Sequence, residues 1–170
     1  ALGTVDLEEF VDESLDEVKD WELNFKILKQ AQRESERIPS EVTVDCFTVS
    51  LLPVKAAIEN HMKLLQEALL HSLRRTALAQ KEEVENFVAE GQRVFEGNAL
   101  SIEEIGNARK AAQGLIGSVA FMNNLRRKIE EKNRLLRVVA HGGQAAHTVD
   151  ISALNNEWEA FSNKLLQLEG

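Results

Sequence analysis

The sequence holds no tyrosine, only 2 prolines, 1 cysteine and 5% aromatic residues among 170. So few turn-forming and ring-bearing residues argue against sandwiches and barrels, which need many short β-branched strands punctuated by glycine and proline. Cys46 stands alone, so no intrachain disulfide can form, and no Asn-x-Ser/Thr sequon occurs. Both facts fit a reducing cytosolic compartment. A signal-peptide pattern is missing, as is any apolar run long enough to span a bilayer. Positive charge is also in deficit, with a formal net charge of −8. That balance lacks the basic footprint of a nucleic-acid binder and the basic polar face of a helical membrane-surface protein. The chain opens on Ala1 and closes on Gly170 within a helical pattern, as expected of a piece of a longer protein.

What is present is hydrophobic content of 44% and charged content of 28%, arranged at helical spacing. Leu7, Phe10, Val11, Leu15, Val18, Trp21, Phe25 and Leu28 recur every three or four residues and predict one amphipathic helix over about 6–35. Its other face is acidic at the N-terminal end, from Asp6 to Glu22, which complements the helix dipole. Pro39 ends this helix by pushing Ile38 out of the α region. Over about 41–50, Val42, Val44 and Cys46 alternate with polar residues, which predicts one short extended crossing segment, an edge strand too isolated to build a sheet.

Pro53 suits the first turn of a second helix, predicted over about 53–96 and roughly 65 Å long if unbroken. Gly91 weakens its last turns, and Gly97-Asn98 is a good stop. Ser101-Ile-Glu-Glu104 reads as a capping box opening a third helix over about 102–139. Gly106, Gly114 and Gly117 cost helix stability there and are expected to permit close packing on a neighbour. A glycine-bearing loop from His141 to Thr148 precedes a fourth helix over about 150–169, capped by Asp150 or Thr148. Its Ile151, Leu154, Trp158, Phe161, Leu165 and Leu168 form a regular seam whose partner is expected to lie partly outside this chain. Together these segments predict an all-α fold: one elongated antiparallel bundle of about four long helices over 1–170, with an acidic tip and a basic end.

The search for chemistry returns little. No Glu-x-x-His pairs for a di-iron bundle, P-loop, dinucleotide fingerprint or nucleophile elbow occurs. Glu67 and His71 are helix-face neighbours, and His141 and His147 share a loop without an acidic or thiol cluster. Cys46 lacks a histidine partner in sequence and reads as a buried or half-buried structural thiol. The basic run from Arg126 to Arg137, interrupted by Glu130 and Glu131, reads as a solvated face, with partner docking as the other reading. Trp21 and Trp158 lie on apolar stripes and read as core anchors. No catalytic, cofactor-binding or metal-binding residue is expected, and no partner-binding residue can be singled out.

A set of collinear strings carries a resemblance: Val18-Lys-Asp-Trp-Glu-Leu-Asn-Phe-Lys-Ile-Leu-Lys29, Arg37-Ile-Pro39, Val44-Asp-Cys46, Pro53-Val-Lys-Ala-Ala-Ile58, Ile102-Glu-Glu-Ile-Gly106, and Glu131-Lys-Asn-Arg-Leu-Leu-Arg-Val-Val-Ala140 before Gly142-Gly143. In this order they resemble the tail region of the cytoplasmic dynein-2 (dynein 1b) heavy chains. The resemblance implies a segment of a microtubule motor for retrograde intraflagellar transport, whose AAA+ ATPase ring lies elsewhere in the chain. It implies the cytoplasm, cytoskeleton and cilium or flagellum as location. The partners it implies are dynein intermediate and light intermediate chains, a second heavy chain and intraflagellar transport trains. Nucleic acid, membrane and cofactors are not among them. A spectrin-like helical scaffold or tether unrelated to a motor is the alternative, and a bundle enzyme is disfavoured by the missing ligand motifs.

Overall fold

The structure is a computed structural model that describes residues 15–96, 102–139 and 148–169. It is all-helical apart from one small antiparallel hairpin. In chain order the elements are α1 (Val18–Glu36), β1 (Glu41–Val44), β2 (Phe47–Ser50), α2 (Leu52–Glu96), α3 (Ile102–Val139) and α4 (Ser152–Glu169). They pack as two compact units, one comprising Ala1–Arg74 with Leu135–His147, the other Arg75–Arg134 with Thr148–Gly170.

Helix α1 begins later than its apolar periodicity suggests: Leu15 to Glu17 are not helical, and residues 6–14 lie outside the described ones. The reason is local. The Asp20 carboxylate turns back to accept from the backbone N–H of Glu17 at 2.9 Å and of Asp16 at 3.1 Å, satisfying donors that a helix start leaves open. These two bonds, Glu17 first, hold the Asp20 carboxyl below its ordinary value of 3.8. At the other end the Arg37 and Ile38 amides donate to the carbonyls of Glu34 and Ser35, and Pro39 stops further helix.

The first unit's core is made where one stripe from each of three helices meets. Helix α1 contributes Trp21, Phe25 and Leu28, α2 contributes Leu69, Leu70 and Leu73, and α3 contributes Leu136. Between α1 and α2 the predicted crossing segment is instead a hairpin, with Val42 opposite Val49 and Val44 opposite Phe47. Its two-residue turn is Asp45-Cys46, and Asp45 takes φ 55°. Hairpin turns need a positive φ, and Asp tolerates that region better than most residues. Cys46 therefore leaves the alternation of β1 and is exposed at the tip, not buried or half-buried as its sequence context suggested. The base of the hairpin is closed by the Leu51 amide donating to the Ser40 carbonyl at 2.7 Å. Pro53 falls in the first turn of α2, where no intrahelical donor is needed.

In the second unit Val84 and Val88 of α2, Leu125 and Ile129 of α3, and Leu154, Trp158, Phe161 and Leu165 of α4 form the core. The seam of α4 thus finds its partners within the chain, where sequence had suggested they lay partly outside it. Phe87, Phe95 and Trp158 surround the Phe161 ring at centroid distances of 5.6, 5.8 and 6.1 Å, the Phe87 pair edge-to-face. Phe161 lies directly on Gly91: a Cβ at that position would stand 2.7 Å from its Cζ and closer still to its Cε2. Gly91 is thus a seat for an aromatic ring, not merely a weak turn. The three glycines expected to permit close packing do not. A Cβ on Gly106, Gly114 or Gly117 would meet nothing within 4 Å.

Polar groups secure the entry to α4. Asn133, buried on α3, donates to the Val149 carbonyl at 2.8 Å and accepts from its amide at 2.9 Å. Asp150 accepts from both the amide and the hydroxyl of Ser152, at 3.0 and 2.8 Å. It therefore turns the chain into the helix from one position before the Ile151 carbonyl, which takes the first helical bond, from Asn155. Ser101, the cap expected for α3, lies outside the described residues, as do His141 and His147.

Four outcomes follow from these contacts. Gly91→Ala should destabilise the chain by about 1–2 kcal/mol in chemical denaturation, because the clash with an enclosed ring outweighs the helix propensity gained. Gly114→Ala should instead stabilise it by about 0.5–1 kcal/mol in the same assay. Asn133→Ala should cost about 2–4 kcal/mol by stranding the Val149 amide and carbonyl, with Asn133→Asp intermediate because it can still accept. Finally, the amide and hydroxyl of Ser152, in that order, hold the Asp150 carboxyl below 3.8. A depressed folded value means this contribution is present above 3.8 and lost as the pH falls through the folded value. The Ser152 amide resonance should titrate in that acid range, and Asp150→Asn should abolish the titration.

Candidate interaction surfaces

The described residues hold no group of three or more His, Cys, Asp or Glu side chains placed to share a metal ion. No described helix is long and apolar enough to cross a membrane. His71 and Glu67 are both exposed on α2. Trp21 and Trp158 lie inside the first and second cores respectively and present no stacking face to a ligand.

The basic run of α3 is less available than its sequence suggests. Lys132 is only 2% exposed and donates to Gln80 Oε1 at 2.9 Å. Arg126 is engaged on three sides: by Asn123, by Glu130 at 3.0 Å and by Asn155 of α4 at 2.9 Å. Both cations tie α3 to a neighbouring helix, because the stripe of a third helix passes over the same face that carries the run. Arg127, Lys128, Arg134 and Arg137 remain exposed. Elsewhere charge forms exposed neighbour pairs along single helices, Lys26 with Glu22 at 3.6 Å and Arg93 with Glu90 at 3.6 Å. Such pairs contribute little to stability and leave both partners free to re-pair with an incoming protein.

Apolar surface is the more informative feature. In the first unit a groove of about 290 Å³ runs between α1 and the end of α3, floored by Phe25, Leu28, Leu135, Val138 and Val139 and rimmed by Glu22, Lys26, Lys29, Gln32 and Gln66. An apolar floor with a rim of mixed sign suits side chains from another protein surface better than a polar metabolite. Val138 within it is largely exposed. In the second unit Ile102, Ile105, Ile116 and Phe121 are exposed along the first half of α3. The hairpin between α1 and α2 exposes every strand residue, valines and Phe47 included. Sequence reasoning missed these surfaces, because a residue off the main stripe looks the same whether it faces solvent or a partner.

No protein-family model matches the chain. Individual curated proteins do. The chain is 47% identical over 170 residues to cytoplasmic dynein 2 heavy chain 1 of Chlamydomonas reinhardtii, with 99% of this chain aligned. Against the proteins of the same name from Tripneustes gratilla and Homo sapiens, identity is 41% and 39% over 160 residues, with 94% of this chain aligned. It spans 4% of the length of each of these curated relatives. The likeness extends over 94–99% of this chain and so does not rest on one short motif. Along nearly its whole length the chain is thus homologous to one short segment of the cytoplasmic dynein 2 heavy chains.

Proposed function

We propose that this chain is a structural segment of the tail of a dynein 2 heavy chain, transmitting force between motor and cargo and offering surface to accessory subunits. The observation that carries the reading is the collinear likeness to dynein 2 heavy chains over 94–99% of the chain. The architecture supports it. Helices with densely packed interiors deform little under load, as a force-transmitting segment requires. The segment itself carries no catalytic centre, ATP turnover belonging to the motor ring of the parent chain. Its setting is the cytoskeleton of the cilium or flagellum, in retrograde intraflagellar transport. Its partners are the intermediate and light intermediate chains, and through them the transport trains.

The apolar groove of the first unit and the exposed first half of α3 are the surfaces on which such subunits would sit. Purified chain mixed separately with intermediate and light intermediate chains should retain at least one of them, and Val138→Asp at the groove should weaken that retention. Binding of neither would overturn the accessory-subunit role. Sustained ATP hydrolysis by the purified chain would overturn the structural one.

A further inference from the structure

The hairpin carries a surface that its own fold leaves unused. Cross-strand partners and alternate residues along a strand project to the same side of a sheet. The register therefore places Val42, Val44, Phe47 and Val49 together on one face, with the polar residues of both strands on the other. These four residues are 38%, 56%, 71% and 48% exposed. A two-stranded hairpin alone is marginally stable in water, and persists when further strands or a packed helix supply burial. A third strand would lengthen the sheet and leave this face wet. Covering the face calls for a second layer, and the apolar stripe of a helix supplies one.

Size decides where that helix comes from. The face amounts to on the order of 350 Å², less than half of the ~800 Å² per partner that a stable association of separate proteins buries. A freely diffusing subunit, or a second copy of this chain meeting hairpin to hairpin, gains too little here to stay bound. A helix on the same polypeptide faces no such requirement, because tethering supplies an effective concentration on the order of millimolar. Ample polypeptide exists for this, since the chain corresponds to 4% of the length of its relatives. We propose that the apolar face of the hairpin docks in cis onto the apolar stripe of a helix elsewhere in the same heavy chain, clasping this segment to another part of the polypeptide. The proposal rests on the family relationship and not on which accessory subunit the segment carries.

The test replaces Phe47 with a photoreactive residue, Phe47→p-benzoylphenylalanine, in the full-length heavy chain within its assembled complex. Thr48→p-benzoylphenylalanine, on the polar face, serves as control. Illumination should join position 47 to a peptide of the same polypeptide outside these 170 residues, with product at single-chain mass on a denaturing gel. Yield should be at least about tenfold above the position 48 control, and Val44→Asp should reduce it to the control level. Product at twice the chain mass would overturn the proposal in favour of a second copy. Joining to an accessory subunit would overturn it while supporting the function proposed above. Joining within these 170 residues, or a yield equal to the control, would overturn it as well.

Discussion

A helix with one narrow apolar stripe cannot be buried by a single neighbour when the stripe carries tryptophan or phenylalanine. Two cylinders meet along a line and leave the flanks of a large ring wet, so a third stripe is needed to close around it. That requirement organises this chain. The long helices α2 and α3 contribute to both units, and each unit completes its core with a shorter helix: α1 brings Trp21 and Phe25 to the first, α4 brings Trp158 and Phe161 to the second. The remaining structure serves to deliver those two short helices in register. Asp20 sets where α1 begins, and Asn133 and Asp150 set where α4 begins. Gly91 clears the space into which the last large ring descends.

The stripes themselves were legible in the sequence, because period and residue size suffice to mark which positions must be buried. Trp21, Phe25, Leu28, Leu154, Trp158, Phe161 and Leu165 could be named as one-sided from spacing alone. The breaks at Pro39 and Pro53 were equally plain, since proline acts through its own ring and needs no tertiary context. What spacing could not reveal were contacts between segments distant in sequence. Nothing near Gly91 indicates that residue 161 will rest on it, and nothing near Gly114 indicates that no residue will. Lys132 looked like one more surface cation, yet the neighbouring helix buries it against Gln80. The hairpin was misread for a different reason. Alternation was counted straight through Asp45 and Cys46, where a backbone reversal restarts the count and places Phe47, not Cys46, in line with the valines.

The functional surfaces share that dependence on context. Core positions announce themselves by repetition, whereas an apolar residue left outside a core is informative only once the core has been drawn. Phe47, Phe121 and Val138 became notable after Trp21 and Phe161 had claimed the interior. Homology to one short stretch of far longer heavy chains gives such surplus surface a frame: under the function proposed above, it is where other parts of the polypeptide or other subunits would sit.

The turn at the hairpin tip has a practical consequence. Its cysteine is the sole thiol in the 170 residues, and it is exposed and distant in sequence from every side chain of either core. A maleimide dye or spin label would therefore attach to this segment at one defined point, without mutagenesis and without disturbing packing. Nature has left the segment with a ready-made anchor for distance measurement by fluorescence or electron resonance.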